Sequence, residues 1–471
     1  MSTLSRLKLD SRFRGNDYKM LMRIFGLAAL VCLFVLGLPL SVQAQNRPQD
    51  MNLIRDAEIE QILRDFAAPI FTQAGIPPAN VHFVLVNSPE VNAFVAGGMN
   101  MFITTGLMRM AKTPEELIGV MAHETGHIAG GHLVRSQEAM ENASTSAIIA
   151  TIAGIAAAAA SRDGSTGAAA ISLGQQVAQR NFLSYSRTQE SSADQAALNF
   201  LDRAHISATG MHDFLKRLGD QELLPENQQI QFVRTHPLTR DRIDSVAAHV
   251  TAARPATPLP TGYSERFARL QAKLEGFIDP RFALHHYPPT ETGFAGRYAR
   301  SIALHQTGDT RGALALAEDL LKAEPNNAYL HELKGQILYE TGQAAAAIPA
   351  YRRAVSLAEG NGLLRIGLAQ ALLDSGTASN LTEAQTQLQA ASSSERKSPS
   401  LWRLLATAYG RQNQLGMAAY ALSEEALTSG NKAVAKQQAS RAQDLLPHGS
   451  AGWVKAGDVL AVASEKDRDS R

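Results

Sequence analysis

Residues 51–74 place Leu53, Ile54, Ile62, Leu63, Phe66 and Ile70 at helical spacing, and the pattern breaks at Gly75-Ile76-Pro77-Pro78. The spacing predicts a helix over 51–74. Val81, Phe83 and Leu85 then alternate with their neighbours, which predicts a strand running into Asn87. Ser88-Pro89 reads as a turn, and Asn92–Ala96 and Met99–Thr104 read as two strands around Gly97-Gly98. Gly106 opens a helix. Thr113-Pro114-Glu115-Glu116 starts another: Thr113 as N-cap, Pro114 at the first position, acids in the first turn. Leu117, Ile118, Val120 and Met121 supply its apolar face.

Further along, the pattern becomes a repeat. Gly308, Gly342 and Gly376 are 34 residues apart, the tetratricopeptide period. Gly335, Leu338, Tyr339, Ala347, Ile348, Tyr351 and Ala354 keep the register around Gly342. A third unit carries an insertion of about three residues after Gly376, a fourth contains Trp402, Leu405 and Tyr409, and a degenerate fifth surrounds Gly430, Ala435 and Pro447. Such helix pairs stack because neither helix buries its small-residue face alone. The expected fold is mainly α: a first domain with a small β-sheet, then an α-solenoid of tetratricopeptide repeats. The expected divisions are 1–44, 45–290, 291–450 and a tail at 451–471, with TAARPATPLPTG at 251–262 as a connector.

Residues 24–38 form an uncharged apolar run, short for a membrane span. Lys19 and Arg23 precede it, and Val42-Gln43-Ala44 follows with small residues at the −3 and −1 positions. Residues 1–44 are therefore expected to be an export signal, with 1–19 upstream of the true start at Met20 or Met22, and the address is the periplasm. The Ala-rich stretch 142–161 is expected to be a packing helix, and Arg162–Gly167 a loop acting as lid or plug near the site. Lys+Arg 45 against Asp+Glu 44 leaves no basic surface for nucleic acid. The only cysteine, Cys32, lies inside the apolar run, so Cys-ligated metal, disulfides and a thiol nucleophile are excluded from the mature chain.

The chemistry is concentrated at His123-Glu124-Thr125-Gly126-His127. On a helix, residues four apart lie about 40° apart around the axis, so His123 and His127 can hold one Zn²⁺ while Glu124 serves its water as base. His132 is five residues beyond His127, about 140° around an unbroken helix, and reads as a supporting or surface residue. A third ligand is better sought at Glu190, with Asp194 one turn later placed to hold the distal nitrogen of a ligand histidine. His236-Pro237 precedes another helix start.

Together, Asn92-Ala93-Phe94, the HExxH motif, Glu190/Asp194 and His236-Pro237 with Arg242 resemble the zinc peptidase family of the prenyl-protein (CAAX) proteases and the HtpX heat-shock protease. The resemblance covers about 80–245. It implies His123, His127 and Glu190 as zinc ligands and Glu124 as base. It implies that His236 binds the transition-state oxyanion or folds back on the zinc, with Arg242 as the family arginine beside it. It also implies that the edge strand near 92–104 holds substrate in extended form. Those relatives are membrane-embedded; this chain shows no convincing span after the leader, which points to an exported branch.

For that branch, the resemblance implies a zinc endopeptidase degrading misassembled outer-membrane proteins and assisting their assembly. Its implied partners are unfolded or stalled outer-membrane proteins and, through the repeats, the barrel assembly machinery, with peripheral membrane association compatible. The alternative is a chaperone or adaptor whose zinc site is normally shut, with His236 as fourth ligand.

Overall fold

A computed structural model of the protein describes residues 52–96, 98–132, 186–219, 230–253 and 257–465. The expected export signal, the Ala-rich segment 142–161 and the loop Arg162–Gly167 lie outside them.

The chain enters through a short strand, β1 (Leu53–Ile54), and then helix α1 (Ala57–Gln73). Leu53 and Ile54, expected in the first turn of that helix, are instead extended and pair with Val86 and Leu85. The helix cannot start earlier because Asp56 is its N-cap: the backbone there is extended, and the side chain accepts from Ile59 N. Two apolar residues in a row do not distinguish the two periods.

β2 (His82–Val86), β3 (Ala93–Ala96) and β4 (Asn100–Thr104) complete a four-stranded sheet of order β1-β2-β4-β3. β2 and β4 run parallel, while β3 pairs antiparallel to β4 and forms an edge. Gly98 sits at φ +91° in the β3–β4 turn, where a side chain would be strained. α2 (Thr105–Met110) leads to α3 (Pro114–Gly130), which carries the HExxH motif and begins at Thr113 as the capping pattern predicts. Helix α4 spans 186–203, followed by α5 (Thr209–Leu218), α6 (Gln231–Thr235), α7 (Arg240–Ala252) and α8 (Tyr263–Ile278).

One core joins these elements. Phe66 and Ile70 of α1, Leu85 and Ile103 of the sheet, Leu117 and Met121 of α3, Leu201 of α4 and Phe214 of α5 are all buried in it. α8 is two-sided. Its Leu270 and Leu274 belong to this core, while Ala272 packs with Tyr298, Ala299 and Ile302 of the first repeat helix. Gly276 makes that approach possible, since a Cβ there would sit 2.9 Å from Ala299 O. No helix among the described residues is long and apolar enough to cross a membrane.

The repeats are five helix pairs, from Phe294–Gln306 with Thr310–Ala323 to Lys432–Leu445 with Ala451–Ser464. Gly308, Gly342 and Gly376 all have positive φ at the turn inside a pair, and Asn413 (φ 57°) takes that place in the fourth. Gly335 is required for packing, because a Cβ there would lie 2.9 Å from the Tyr351 ring. Residues 451–464, assigned to the tail by sequence, form the last helix and bury Ala456, Val459 and Ala463. The inserted residues fall between Ala391 and Pro399, and this longer connection carries Glu395 back to Arg55 beside β1, at 2.7 Å.

The start of α1 faces the repeats through buried charge. Lys273 Nζ lies 2.8 Å from Asp56 and 3.3 Å from Glu58, and Tyr298 donates to Glu58 at 2.6 Å. Glu332 of the second repeat lies 3.9 Å from the same ammonium, with one carboxylate oxygen buried and unbonded. One lysine thus faces three carboxylates, and burial lifts the Glu332 pKa to about 8.

Candidate metal centre

Two helices must come very close for this centre to form. Gly126, inside the HExxH motif, is the crossing point: a Cβ there would be 2.6 Å from Ala193 O on α4. The glycine lets α4 bring Glu190 and Asp194 against the face of α3 that carries His123 and His127. Two further glycines seat α3 on α5, since a Cβ at Gly119 would strike Met211 and one at Gly210 would strike Glu115. Buried Glu116, paired to Arg217 of α5 at 2.7 Å, locks the same contact.

His123, His127, Glu190 and His236 are all buried, and each offers a ligand atom within 4.8 Å of the others. His123 Nε2 and His127 Nε2 are 3.1 Å apart. Glu190 lies 3.3 Å from the first and 3.4 Å from the second. A tetrahedral ion with bonds of ~2.0–2.1 Å has ligand–ligand edges of about 3.4 Å, so these three edges suit zinc. The donor set, two imidazoles and a carboxylate, is that of a zinc site with an open position. Both oxygens of Glu124 are buried without a hydrogen-bond partner, which a polar species at the centre would satisfy. The residues present therefore fit the ion.

Each ligand is held from behind. Asp194 Oδ1 lies 2.9 Å from His123 Nδ1, so that nitrogen carries the proton and Nε2 faces the cluster. Burial opposes charge on His123, but the hydrogen bonds and charges of Asp194 and Glu190 outweigh it and lift its pKa to about 10. Burial likewise opposes charge on Glu190 and Asp194. For Glu190, the surrounding histidines hold the carboxyl well below its usual range, and for Asp194, Arg242 and His123 do so.

Behind His127, Nδ1 lies 3.0 Å from His132 Nδ1. His132 is buried, and of the two places expected for it, support and surface, it takes the first. The helical extrapolation fails because Gly131 ends α3 in the left-handed region (φ 61°), so His132 turns back under the centre. The Gly130-Gly131 pair was the available signal.

Arg242 is turned onto two carboxylates and a backbone carbonyl. Its Nε donates to Asp194 at 2.6 Å, one terminal nitrogen donates to Asp194 at 2.9 Å, and the other donates to Pro237 O at 2.8 Å while lying 3.0 Å from Glu190. His236 closes the cluster, with Nδ1 3.3 Å from Glu190 and Nε2 3.5 Å from Glu124. The same Nε2 lies 3.1 Å from Ala93 O on the edge strand. Ala93 O is a contact that residue types alone could not reveal.

Residues 53–250 match the family model of Peptidase family M48, and residues 338–408 match that of the tetratricopeptide repeat. The chain is 25% identical over 327 residues to a beta-barrel assembly-enhancing protease of Yersinia pestis, covering 68% of this chain and 66% of that one. It is 25% identical over 335 residues to the protein of the same name in Escherichia coli K12, covering 69% and 67%. A mitochondrial metalloendopeptidase of Schizosaccharomyces pombe is 24% identical over 206 residues, 44% of this chain and 57% of that one. The chain thus spans about two thirds of the length of the barrel-assembly relatives. The resemblance read from the motifs is borne out: residues 53–250 are a Peptidase family M48 domain, that of a zinc metalloprotease, and tetratricopeptide repeats follow it.

Proposed function

We propose that this protein is an exported, periplasmic zinc endopeptidase that cleaves unfolded or misassembled outer-membrane proteins and so assists barrel assembly. The observation that carries the catalytic part is the buried convergence of His123, His127 and Glu190 around Glu124, whose two buried oxygens accept no hydrogen bond. The names of the beta-barrel assembly-enhancing relatives support the client class. The leader-like run at 24–38 supports the compartment. The repeats are the surface for clients or for the barrel assembly machinery.

Zinc held by His123, His127 and Glu190 would supply Lewis acidity to the scissile carbonyl and lower the pKa of water toward neutrality. Glu124 takes the proton of the attacking water and returns it to the leaving amine. Its burial and lack of other partners keep both oxygens available for that transfer. His236, 3.5 Å from Glu124, is placed to donate to the oxyanion once it leaves the cluster. We assign Asp194 and Arg242 to positioning: Asp194 holds His123, and Arg242 holds Asp194 and Glu190.

The alternative, a chaperone or adaptor with a normally shut centre, draws on the fourth ligand position of His236. The proteases among the relatives do not favour it.

The test is proteolysis of β-casein by wild type, Glu124→Gln and His236→Ala, with zinc content measured. Wild type or His236→Ala should cleave, and Glu124→Gln should be inert while retaining zinc. Cleavage by Glu124→Gln would remove the assigned mechanism, and zinc-loaded wild type and His236→Ala that are both inert would favour the adaptor.

A further inference from the structure

The two imidazoles of the HExxH motif rest on supports of different charge. His123 rests on a carboxylate, Asp194, whereas His127 rests on a second imidazole, that of His132. The rings of His127 and His132 stand at 79° to each other with centroids 5.0 Å apart, so they meet through their Nδ1 atoms and not as a stack. Three neighbours hold His132 in that pose. Gly131 turns the chain in the left-handed region. Gly130 leaves the space that the ring fills, since a Cβ there would strike it. Gln189, adjacent to Glu190, donates to His132 O at 3.2 Å.

This geometry assigns the protons. His127 turns Nε2 toward the cluster, 3.1 Å from His123 Nε2. A neutral imidazole carries one N–H, so a ring that offers its Nε2 lone pair to a metal holds the proton on Nδ1 and donates it to His132. His132 Nδ1 then accepts, which only a neutral ring can do. Charge gives a reason for an imidazole at this place. Buried Glu124, Glu190 and Asp194 are three carboxylates against one buried guanidinium, Arg242, and a single divalent cation cancels the difference. A carboxylate behind His127 would add an uncompensated buried anion to a balanced centre. It would also make His127 the stronger donor and the metal the weaker Lewis acid.

We propose that His132 is a positioning residue that serves the reaction as a neutral acceptor: it holds His127 ready to ligate without adding the charge that would blunt the metal. The centre thereby combines one ligand histidine backed by an anion, which favours retention of the ion, with one backed by a neutral group, which keeps the ion electrophilic. This inference rests on the proposed peptidase reading and deepens it by naming what sets the electrophilicity of the same site.

The test compares His132→Asn, His132→Asp and His132→Ala in the full chain carrying His236→Ala. Asn and Asp both place an acceptor oxygen where His132 has Nδ1, and they differ from each other in charge. Zinc affinity is read by chelator competition. Relative to the parent, His132→Ala should bind zinc about 10–100-fold more weakly, and His132→Asn should stay within about threefold. His132→Asp should bind about tenfold more tightly than His132→Asn. On β-casein, His132→Asp should lower kcat about tenfold relative to His132→Asn with KM unchanged. With Co²⁺ in place of zinc, the shifted exchangeable N–H proton resonance of His127 should persist in His132→Asn and be lost to exchange with water in His132→Ala. The proposal is overturned if His132→Ala binds zinc like the parent, if His132→Asn is as weak as His132→Ala, or if His132→Asp binds no more tightly than His132→Asn. Failure of the peptidase reading shows separately, as absence of casein cleavage by the parent, and the zinc comparison then still decides the role of His132.

Discussion

Asp194 lies 2.9 Å from Nδ1 of His123, and this contact decides which nitrogen of the imidazole faces the metal. Arg242 in turn fixes Asp194 with two bonds. Asp194→Asn should weaken zinc binding by about 10–100-fold, the usual effect of removing such a support. Asp194→Ala should also cost about 3–5 kcal/mol of stability, because a buried guanidinium loses its main partner. Chelator competition and urea unfolding measure the two effects, and unchanged zinc affinity in Asp194→Asn would deny the carboxylate this role.

Zinc uptake should release protons. Burial pushes the His123 pKa down, but Asp194 and Glu190 overcome it and lift it to about 10 in the metal-free protein. At neutral pH that imidazole is therefore charged, and the metal must displace its proton. Affinity should rise as pH climbs from neutrality toward that value. Calorimetric titration in two buffers of different ionisation heat reads the proton count, and identical apparent heats would contradict the assignment.

Gly126→Ala should be harmful although alanine favours a helix by about 1 kcal/mol. The new Cβ would stand 2.6 Å from Ala193 O, a backbone atom of a packed helix. Pushing α4 away costs about 1–3 kcal/mol and moves Glu190 from the cluster. A lower melting temperature together with weaker zinc binding is expected; a variant as stable and as tightly loaded as wild type would mean that the helices can slide.

Glu332 gives the joint between peptidase and repeats a pH dependence. Burial, joined by the charges of Asp56 and Glu58 and opposed by Lys273, lifts its carboxyl to about 8 from an ordinary 4.5. Below the ordinary value both folded and unfolded chains hold the proton. As pH rises toward 8 only the folded chain still holds it, so stability falls across that window. Glu332→Gln should raise the melting temperature by about 2 °C at pH 7.5, with the gain vanishing near pH 4.5. A gain that is the same at both values would show that Glu332 titrates normally.

Much of this molecule is legible in one dimension because its signals are local. The helix beginning at Thr113 follows from its cap, and the HExxH pair follows from the helical period. The repeats follow from Gly308, Gly342 and Gly376 taking the positive-φ turn. His132 shows where local reasoning stops. Its angle around the helix was extrapolated through Gly131, and that residue ends the helix.

The chain alone determined the residue types of the centre, the small sheet and the repeat period, since each is written within a turn of helix, a strand or a 34-residue unit. Tertiary structure decided what those residues do to one another. It turned Arg242 onto Asp194, set His236 against Ala93 across 143 positions, and brought Glu395 to Arg55 across 340. Contacts at such separations leave no periodic trace. They exist because helices cross where Gly126 permits and because buried charges must find partners wherever the fold provides them.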